Sequence, residues 1–395
     1  MVCAREQPEW LSGRKRVGKS DPKDKPFQIP KELVWEAYKS VKRNKGAAGV
    51  DGQSIEEFEA DLKDNLYKIW NRMSSGSYFP SPVRAVEIPK SHGGGTRVLG
   101  IPTVADRIAQ TVVALWLEPR TESIFHDDSF GYRPGKSPLA AVARCRERCW
   151  KKDWVLDLDV QQFFDSVDHD LMVKAVAANT DQNWVVLYVK RWLKAPIRMP
   201  DGRLVERDRG TPQGSAVSPV LANLFLHYAF DLWLEREFPA VEFERFADDA
   251  VVHCRTERQA QLVLVALSER LASVGLRLHP DKTQIVYCKD RNRRLSYERT
   301  SFTFLGYTFR ARKAPTRDGK SMFTAFLPAM GTDALKDKGH EVRGWKLHLR
   351  TTCDLAELAE WMNPIIRGWM NYFGRFYRTE MFGLLRRINT YLVRW

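Results

Sequence analysis

Apolar and polar residues alternate strictly in one short stretch of the chain, residues 154–160. On an extended strand, neighbouring side chains point to opposite faces. Leu156 and Leu158 therefore share one face, while Asp157 and Asp159 share the other. The pattern predicts a β-strand that packs its apolar face against a core and carries carboxylates on the opposite face.

A second acidic stretch lies about 90 residues later, within residues 242–253. Strand-forming apolar residues lie on both sides of Asp248 and Asp249, a pattern that predicts a β-hairpin with the acidic pair at its tip. A tight turn can bring the two carboxylates together, and a divalent cation relieves their repulsion. Aspartates are also common in turns that bind no ligand, so the pattern by itself leaves both interpretations open.

The other periodic segments predict further helices and one more hairpin. Two strands, 83–90 and 96–102, flank a glycine-rich turn at 92–95. Helical periodicity predicts helices at 30–41, 54–73, 105–117 and 261–273. It also predicts a helix that starts at 218 and several helices after residue 355.

Short polar residues at the starts of the predicted helices indicate where these helices begin. Thr103 and Ser218 precede two of them, and both hydroxyl groups can accept a hydrogen bond from the first helical turn. The helix that follows the double phenylalanine has three candidate N-caps, which are Asp165, Ser166 and Asp168.

The composition is that of a folded, strongly basic protein. The chain has 395 residues, of which 44% are hydrophobic and 11% aromatic, enough for two or three domains with a substantial core. Its formal net charge of +14 predicts a polyanionic partner, most simply nucleic acid. The chain shows no apolar run of membrane-spanning length and no signal peptide, so a membrane is not expected as a partner.

Six cysteines occur, and none belongs to a Cys-x-x-Cys pair. Cys145 and Cys149 lie one helical turn apart, but no further ligand is close to them in sequence. Buried free thiols are therefore favoured over zinc ligands or disulfides. Free thiols indicate a reducing compartment, and the predicted location is the cytoplasm, in a bacterium in association with the nucleoid.

The predicted strand, the double phenylalanine at 163–164 and the acidic hairpin together resemble the catalytic palm of reverse transcriptases. In that family the metal-binding Asp lies six residues before the Asp that follows the phenylalanine pair, which here makes it Asp159. The family's hairpin reads Tyr or Phe, any residue, Asp, Asp, and residues 246–249 match it. Further motifs that resemble the family follow in its order, at 129–134, 209–215, 275–283 and 304–307.

Two segments resemble the group II intron reverse transcriptases in particular. The glycine-rich loop at 43–52 is similar to their extra N-terminal motif, and residues 361–373 are similar to their maturase or thumb region. The resemblance implies an α+β right-hand polymerase fold, with fingers and palm built from antiparallel sheet plus helices and with an α-helical thumb, the maturase X domain. The implied segments are a basic tail (1–29), fingers with an N-terminal extension motif (30–153), a palm with some fingers elements (154–312), and a linker with the helical thumb (313–395).

The resemblance also implies two-metal nucleotidyl transfer with two Mg²⁺ ions, or with Mn²⁺ in their place. Asp159, Asp248 and Asp249 would be the catalytic residues and would hold the metals together with the Val160 carbonyl. Phe164 would pack against the sugar and exclude a 2′-hydroxyl group. The residues implied in deoxynucleotide binding are Lys90, Arg97, Val160, Phe164, Gln213 and Lys282.

A local excess of basic residues marks the segment 286–350, which holds 15 Lys or Arg and 6 Asp or Glu. Exposed cations bind the phosphates of a nucleic-acid backbone. The residues predicted to contact nucleic acid are Arg293, Arg294, Arg312, Lys313 and Arg367.

The function implied by the resemblance has two parts: binding group II intron RNA to assist splicing, and copying it into cDNA during retrohoming. The implied partners are intron RNA, an RNA template with a DNA primer, target DNA and deoxynucleotides; the choice between monomer and dimer stays open. Two alternatives also stay open, a splicing-only maturase and a domesticated relative in repair or phage defence. The sequence ends at Trp395 without a His-Asn-His or Cys-pair nuclease motif, so we expect no second-strand cleavage and priming from an existing 3′ end.

Overall fold

The computed structural model describes residues 25–89, 95–316 and 318–395. Lys90, a predicted nucleotide contact, and most of the predicted basic tail lie outside these described residues. The described residues form fourteen α-helices: α1 Lys31–Asn44, α2 Ile55–Glu59, α3 Leu62–Ser74, α4 Val104–Thr121, α5 Pro138–Cys149, α6 Phe163–Ser166, α7 His169–Ala177, α8 Asn183–Lys194, α9 Ser218–Leu226, α10 Leu232–Glu237, α11 Glu257–Ser273, α12 Thr332–Gly344, α13 Leu355–Phe373 and α14 Phe382–Arg394.

The strands form three sheets, and short helical turns of other types occur at His227–Asp231, Leu347–Leu349 and Arg378–Met381. The strands are β1 Val83–Pro89, β2 Thr96–Ile101, β3 Trp154–Asp159, β4 Ile197–Arg198, β5 Leu204–Val205, β6 Glu242–Phe246, β7 Asp249–Cys254, β8 Gln284–Tyr287, β9 Ser301–Phe304, β10 Tyr307–Pro315 and β11 Met322–Met330. The strand orders in the sheets are β2-β1-β4-β5, β6-β7-β3-β8 and β11-β10-β9.

Both predicted hairpins are present. β1 and β2 pair in antiparallel register from Arg84 opposite Ile101 to Pro89 opposite Thr96. β6 and β7 also pair in antiparallel register, and a two-residue turn joins them. The predicted strand β3 lies between β7 and β8 and pairs with both, so its alternating side chains are fixed by partners far away in sequence.

The helix starts agree in part with the predicted caps. The Thr103 hydroxyl accepts a hydrogen bond from Asp106 N, as predicted for an N-cap of α4. Of the three candidates before α7, Asp168 is the N-cap, and its carboxylate accepts from Leu171 N over 2.8 Å. Ser218 is instead the first helical residue of α9. Its hydroxyl donates to the Pro212 carbonyl, so it binds the preceding loop rather than its own helix.

The chain folds into two compact units, and each combines separate parts of the sequence. The first contains the described residues up to 125 together with 162–229 and 274–276; the second contains 126–161, 230–273 and 277–395. In the first unit, Ile108, Val112 and Leu117 of α4 are fully buried. Because the units interleave along the chain, they do not follow the expected consecutive fingers, palm and thumb segments, and that division stays a prediction.

The core of the second unit joins the sheets to the C-terminal helices. Trp369 and Phe373 of α13 are buried, whereas Tyr372 and Phe376 are half-buried. The Tyr372 hydroxyl donates to the Leu305 carbonyl over 2.9 Å, which ties α13 to the turn between β9 and β10. Within the described ranges, no helix combines the length and the hydropathy that a membrane span requires.

Candidate active site

Three carboxylates predicted from two distant stretches come together at one end of the sheet β6-β7-β3-β8. Asp159 is the last residue of β3 and Asp249 the first of β7, and the antiparallel register places them directly opposite each other. Asp248 lies in the turn between β6 and β7, next to Asp249. Opposite residues of an antiparallel pair have their Cα atoms about 4.5–5.5 Å apart. The side chains of Asp159 and Asp249 therefore project from the same face at this end of the sheet.

The two-residue turn that carries Asp248 has an unusual backbone. Ala247 has a φ angle of 56°, in the left-handed region that costs a non-glycine residue about 1–2 kcal/mol. Gly131 lies directly against this backbone, because a Cβ atom added at Gly131 would lie 2.3 Å from Ala247 N. A side chain at position 131 would therefore displace the turn, and Asp248 with it.

The segment that precedes Gly131 runs beside β6 and supports the hairpin. Phe130 N donates a hydrogen bond to the Arg245 carbonyl over 2.7 Å, and Arg245 N donates to the Asp128 carbonyl over 2.9 Å. These bonds add a short parallel bridge to the edge of the sheet. The motif at 129–134 thus packs against the backbone of the acidic hairpin.

Arg245 of β6 is a buried cation that the sequence analysis did not identify. Its guanidinium group pairs with both carboxylate oxygens of Asp231, at 2.7 and 2.6 Å, and Arg245 is only 1% exposed. It also donates to the Ala247 carbonyl over 3.0 Å and to the Ser129 hydroxyl over 2.9 Å. Arg245 therefore holds the turn from inside the unit. The signal in the sequence was a charged residue in a strand that leads into the acidic pair.

The surroundings of Asp249 disfavour the ionised form of its carboxyl group. Protein atoms crowd the Asp249 carboxyl group, although part of its surface stays exposed. The loss of water around the carboxyl group is the main cause that raises the pKa of Asp249 to about 7. Repulsion from Asp248, Asp159 and Asp157 adds to this rise. A divalent cation with oxygen ligands would relieve the repulsion, so the donor set fits Mg²⁺ or Mn²⁺.

Asp157 lies on the same face of β3 as Asp159 but two residues further from the end. Burial raises the pKa of its carboxyl group to about 6, and the hydrogen bond from Gln284 counteracts that rise. Gln284 Nε2 donates to Asp157 over 2.9 Å. This hydrogen bond ties the Asp157 side chain to the neighbouring strand β8.

The loop before β8 surrounds Asp159. His279 N donates to the Asp159 carbonyl over 2.8 Å, and the buried Val160 forms an isolated bridge with Leu278. Lys282 Nζ donates to Asp159 Oδ2 over 2.7 Å. Lys282, predicted as a nucleotide contact, thus lies within the acidic group, where its charge partly neutralises Asp159.

Three predicted nucleotide contacts, Arg97, Phe164 and Gln213, belong to the first unit. Gly100 N donates to the Gln213 carbonyl over 2.7 Å, which fixes the loop at 211–214 against β2, the strand that carries the exposed Arg97. Thr211 N donates to the Phe164 carbonyl over 2.7 Å. One loop therefore links the backbones of Phe164 and β2 within this unit.

Two of the arginines predicted to contact nucleic acid bind protein groups instead. The side chain of Arg293 is 10% exposed; it pairs with Asp290 and donates to the Cys149 carbonyl over 2.8 Å. Arg312 is 7% exposed and pairs with Glu380. Their guanidinium groups are used within the second unit, which differs from the expectation of exposed phosphate contacts. The other three predicted residues, Arg294, Lys313 and Arg367, are exposed.

Comparison with known families gives two matches that together cover most of the chain. The family described as "Reverse transcriptase (RNA-dependent DNA polymerase)" matches residues 88–309. The family described as "Group II intron, maturase-specific domain" matches residues 335–395. The first match includes both acidic stretches, and the second includes α13 and α14.

Relatives of the chain include bacterial proteins of different lengths. Protein YkfC of Escherichia coli K12 is 30% identical over 339 residues, which are 75% of this chain and 84% of YkfC. Group II intron-encoded protein LtrA of Lactococcus lactis is 29% identical over 227 residues, which are 56% of this chain and 37% of LtrA. The aligned part thus spans most of YkfC but little more than a third of LtrA.

Proposed function

The chain belongs to the reverse transcriptase family, in its group II intron branch, and we propose that it is an RNA-directed DNA polymerase that copies intron RNA into DNA. The observation that supports this activity best is the register of β3 and β7, which sets Asp159 opposite Asp249. Asp248 directly precedes Asp249, so all three carboxylates belong to this end of the sheet, where we propose that two metal ions bind.

The chain's own residues would bind and orient the reacting groups. When bound, two Mg²⁺ ions supply the positive charge that lowers the pKa of a primer 3′-hydroxyl and neutralises a triphosphate. Asp159, Asp248 and Asp249 would hold these ions together with the Val160 carbonyl. Lys282 pairs with Asp159 over 2.7 Å and would bind a phosphate of the nucleotide once Asp159 holds a metal.

The positions of these acids depend on groups that take no part in the reaction. Arg245 donates to the Ala247 carbonyl, and the backbone of Gly131 leaves room for the turn. Both contacts involve Ala247, the turn residue that directly precedes Asp248. Preorganised ligands of this kind stabilise a transition state without reorganisation during the reaction.

Nucleotide selection is proposed for residues of the first unit. Phe164 would pack against the deoxyribose and exclude a 2′-hydroxyl group, Gln213 would lie beside the incoming nucleotide, and Arg97 would bind its phosphates. The loop at 211–214 supports these roles, since it holds the backbones of Phe164 and β2 by hydrogen bonds. For Lys90, which lies outside the described residues, the proposed phosphate contact is supported by the sequence alone.

Binding of group II intron RNA, with assistance to splicing and retrohoming, is the second part of the proposal. It is supported by the maturase-specific match at 335–395, by the net charge of +14 and by exposed cations such as Arg294 and Arg367. The proposed partners are intron RNA, a DNA primer on an RNA template, target DNA and deoxynucleotides.

The substitution Asp248→Asn tests the polymerase activity. It removes a metal ligand but no cation from the RNA-binding surface, so primer extension should fall about 10³-fold while RNA affinity stays nearly unchanged. Asp333→Asn serves as the matched control, because Asp333 is an exposed acid whose surface ion pair contributes little.

Extension assays and filter binding on the same preparations decide the result. Near-normal extension by Asp248→Asn would refute the assignment of the metal site. Wild-type protein that binds intron RNA and promotes splicing, but extends no primer, would instead favour a splicing-only maturase.

A further inference from the structure

The second unit holds a cavity of about 740 Å³ that the proposed polymerase reaction does not use. It lies between the end of α5, the segment that follows β8, the hairpin β10–β11 and the segment that follows α13. Tyr287, the last residue of β8, pairs with Trp154, the first residue of β3. The cavity is therefore near the start of β3, at the opposite end of that strand from Asp159.

Four aromatic side chains line this cavity, and hydrogen bonds hold two of them in place. The four are Trp150, Phe323, Phe376 and Tyr377. Trp150 is 46% exposed, and its Nε1 donates to the Phe326 carbonyl over 3.1 Å. The Tyr377 hydroxyl donates to the Lys313 carbonyl over 3.2 Å. Both rings are thus fixed before any ligand binds, which lowers the entropy cost of stacking a planar group against them.

Two arginines line the same cavity without a carboxylate partner. The guanidinium group of Arg146 lies over the Trp150 ring, 4.5 Å from its centroid. Its Nε atom is buried and forms no hydrogen bond among the residues that the structure describes. Burial lowers the pKa of this guanidinium group, and the weaker attraction of Glu147 does not offset the change. Arg291 is exposed, and in the described ranges neither arginine forms an ion pair.

The acid in the lining does not neutralise these two arginines. Asp290 pairs with Arg293 instead, and Arg293 belongs to the wall behind it. The lining therefore keeps a positive charge, carried by Arg146 and Arg291. Asn292 and Thr324 add side-chain donors and acceptors to it. Aromatic rings, unpaired cations and polar groups in one cavity favour a planar ligand that also carries a negative charge.

We propose that this cavity binds one unpaired nucleotide, whose base stacks on Trp150 and whose phosphate pairs with Arg291. Proteins bind single-stranded nucleic acid in this way, with aromatic rings and arginine planes against the bases and cations along the phosphates. An acidic peptide would pair with the arginines but would leave the rings without a planar partner. The inference rests on the RNA-binding part of the proposed function, which supplies unpaired nucleotides; a free nucleotide has the same chemistry.

Photocrosslinking of the full-length wild-type protein tests the site without any variant. The probe is an unstructured uridylate RNA that contains one 4-thiouridine, irradiated in EDTA so that metal-dependent binding at the acidic end does not contribute. We expect crosslinks in the peptides that contain Trp150 or Phe323. Uridine 5′-monophosphate in excess distinguishes the sources: it removes these crosslinks if the cavity also accepts free nucleotides and leaves them if only RNA binds there.

Two substitutions separate the base contact from the phosphate contact. Trp150→Leu should weaken binding of the uridylate RNA about tenfold and leave binding of an abasic strand of the same length unchanged. Arg291→Met should weaken both strands and reduce the slope of log affinity against log salt by about 0.7. Phe79→Leu is the matched control for Trp150, since Phe79 is also exposed beneath an arginine but lies outside the cavity. It should bind RNA as the wild type does.

The outcomes distinguish this inference from the function on which it rests. Wild-type protein that binds RNA but crosslinks only outside the cavity lining would overturn the inference alone. Equal RNA affinities of Trp150→Leu and Phe79→Leu would do the same, as would loss of the crosslinks to a polyglutamate peptide. Protein that binds no RNA at all would contradict the RNA-binding part of the proposed function as well.

Discussion

Strand β7 carries a carboxylate at its first residue and an imidazole at its fifth, and the surroundings of these two side chains differ sharply. Asp249 and His253 lie on the same face of the strand because they are four residues apart. The neighbours of Asp249 are further carboxylates, and part of its side chain stays open to solvent. The neighbours of His253 are thiols and a paired carboxylate, and it is fully buried.

The difference teaches how the position along one strand sets the surroundings of a charged side chain. Carboxylate oxygens at an open edge suit a hard ion such as Mg²⁺, which keeps several of its waters. The buried imidazole instead has its partner inside the protein, since His253 Nε2 and Glu244 Oε2 are 2.6 Å apart. Four residues of extended chain span about 13 Å, so we expect that a substitution at one end leaves the other end intact.

The largest expected effect comes from Asp159→Asn, which removes the partner strand's carboxylate from the acidic end. DNA synthesis should fall about 10³-fold, or about 4 kcal/mol in activation free energy, because a charged ligand of both ions is lost. Primer extension measures the loss. Near-normal extension by Asp159→Asn would contradict the metal-binding role of Asp159.

The substitution Arg245→Met tests whether the turn at the acidic end depends on a buried cation. It leaves the Asp231 carboxylate buried without its partner, a change that costs about 3 kcal/mol or more in the free energy of unfolding. Denaturant titration measures the loss. Arg236→Met is the control, since Arg236 pairs with Glu237 at the surface and should cost less than about 1 kcal/mol. Equal effects of the two substitutions would contradict the role of Arg245.

The smallest effect concerns pH at the acidic end. Because the pKa of Asp249 is raised to about 7, protons compete with metal there, and Mn²⁺ should bind about tenfold more weakly at pH 6 than at pH 8. Electron paramagnetic resonance of free Mn²⁺ measures the affinity. Asp249→Asn should bind Mn²⁺ weakly with little pH dependence, and a wild-type affinity that is constant over this range would contradict the raised pKa.

The same shift has a consequence for the stability of the metal-free protein. The folded state keeps the Asp249 proton up to about pH 7, whereas the unfolded chain releases it near the ordinary pKa of 3.8. The folded state therefore binds more protons in this window, and stability should fall as the pH rises from about 4 to about 7. Added Mg²⁺ should counteract this fall.

Local patterns in the sequence were sufficient for the elements that carry the candidate site. Strict alternation predicted β3, apolar residues around Asp248 and Asp249 predicted the hairpin, and Thr103 was identified as an N-cap. Such features depend on neighbours a few residues away, where periodicity and turn chemistry act. The order of short motifs further indicated the family, which the matches at 88–309 and 335–395 confirm.

Only the tertiary structure decided which distant side chains meet. The register that sets Asp159 opposite Asp249, the pair of Arg245 with Asp231, and the use of Arg293 inside the second unit all join residues through packing that no local pattern encodes. The cysteines show the physical reason most clearly. Cys145 is far from Glu244 and His253 in sequence, yet the ligand atoms of these three residues lie within 4.8 Å of one another, because strand pairing and helix packing do not depend on separation along the chain.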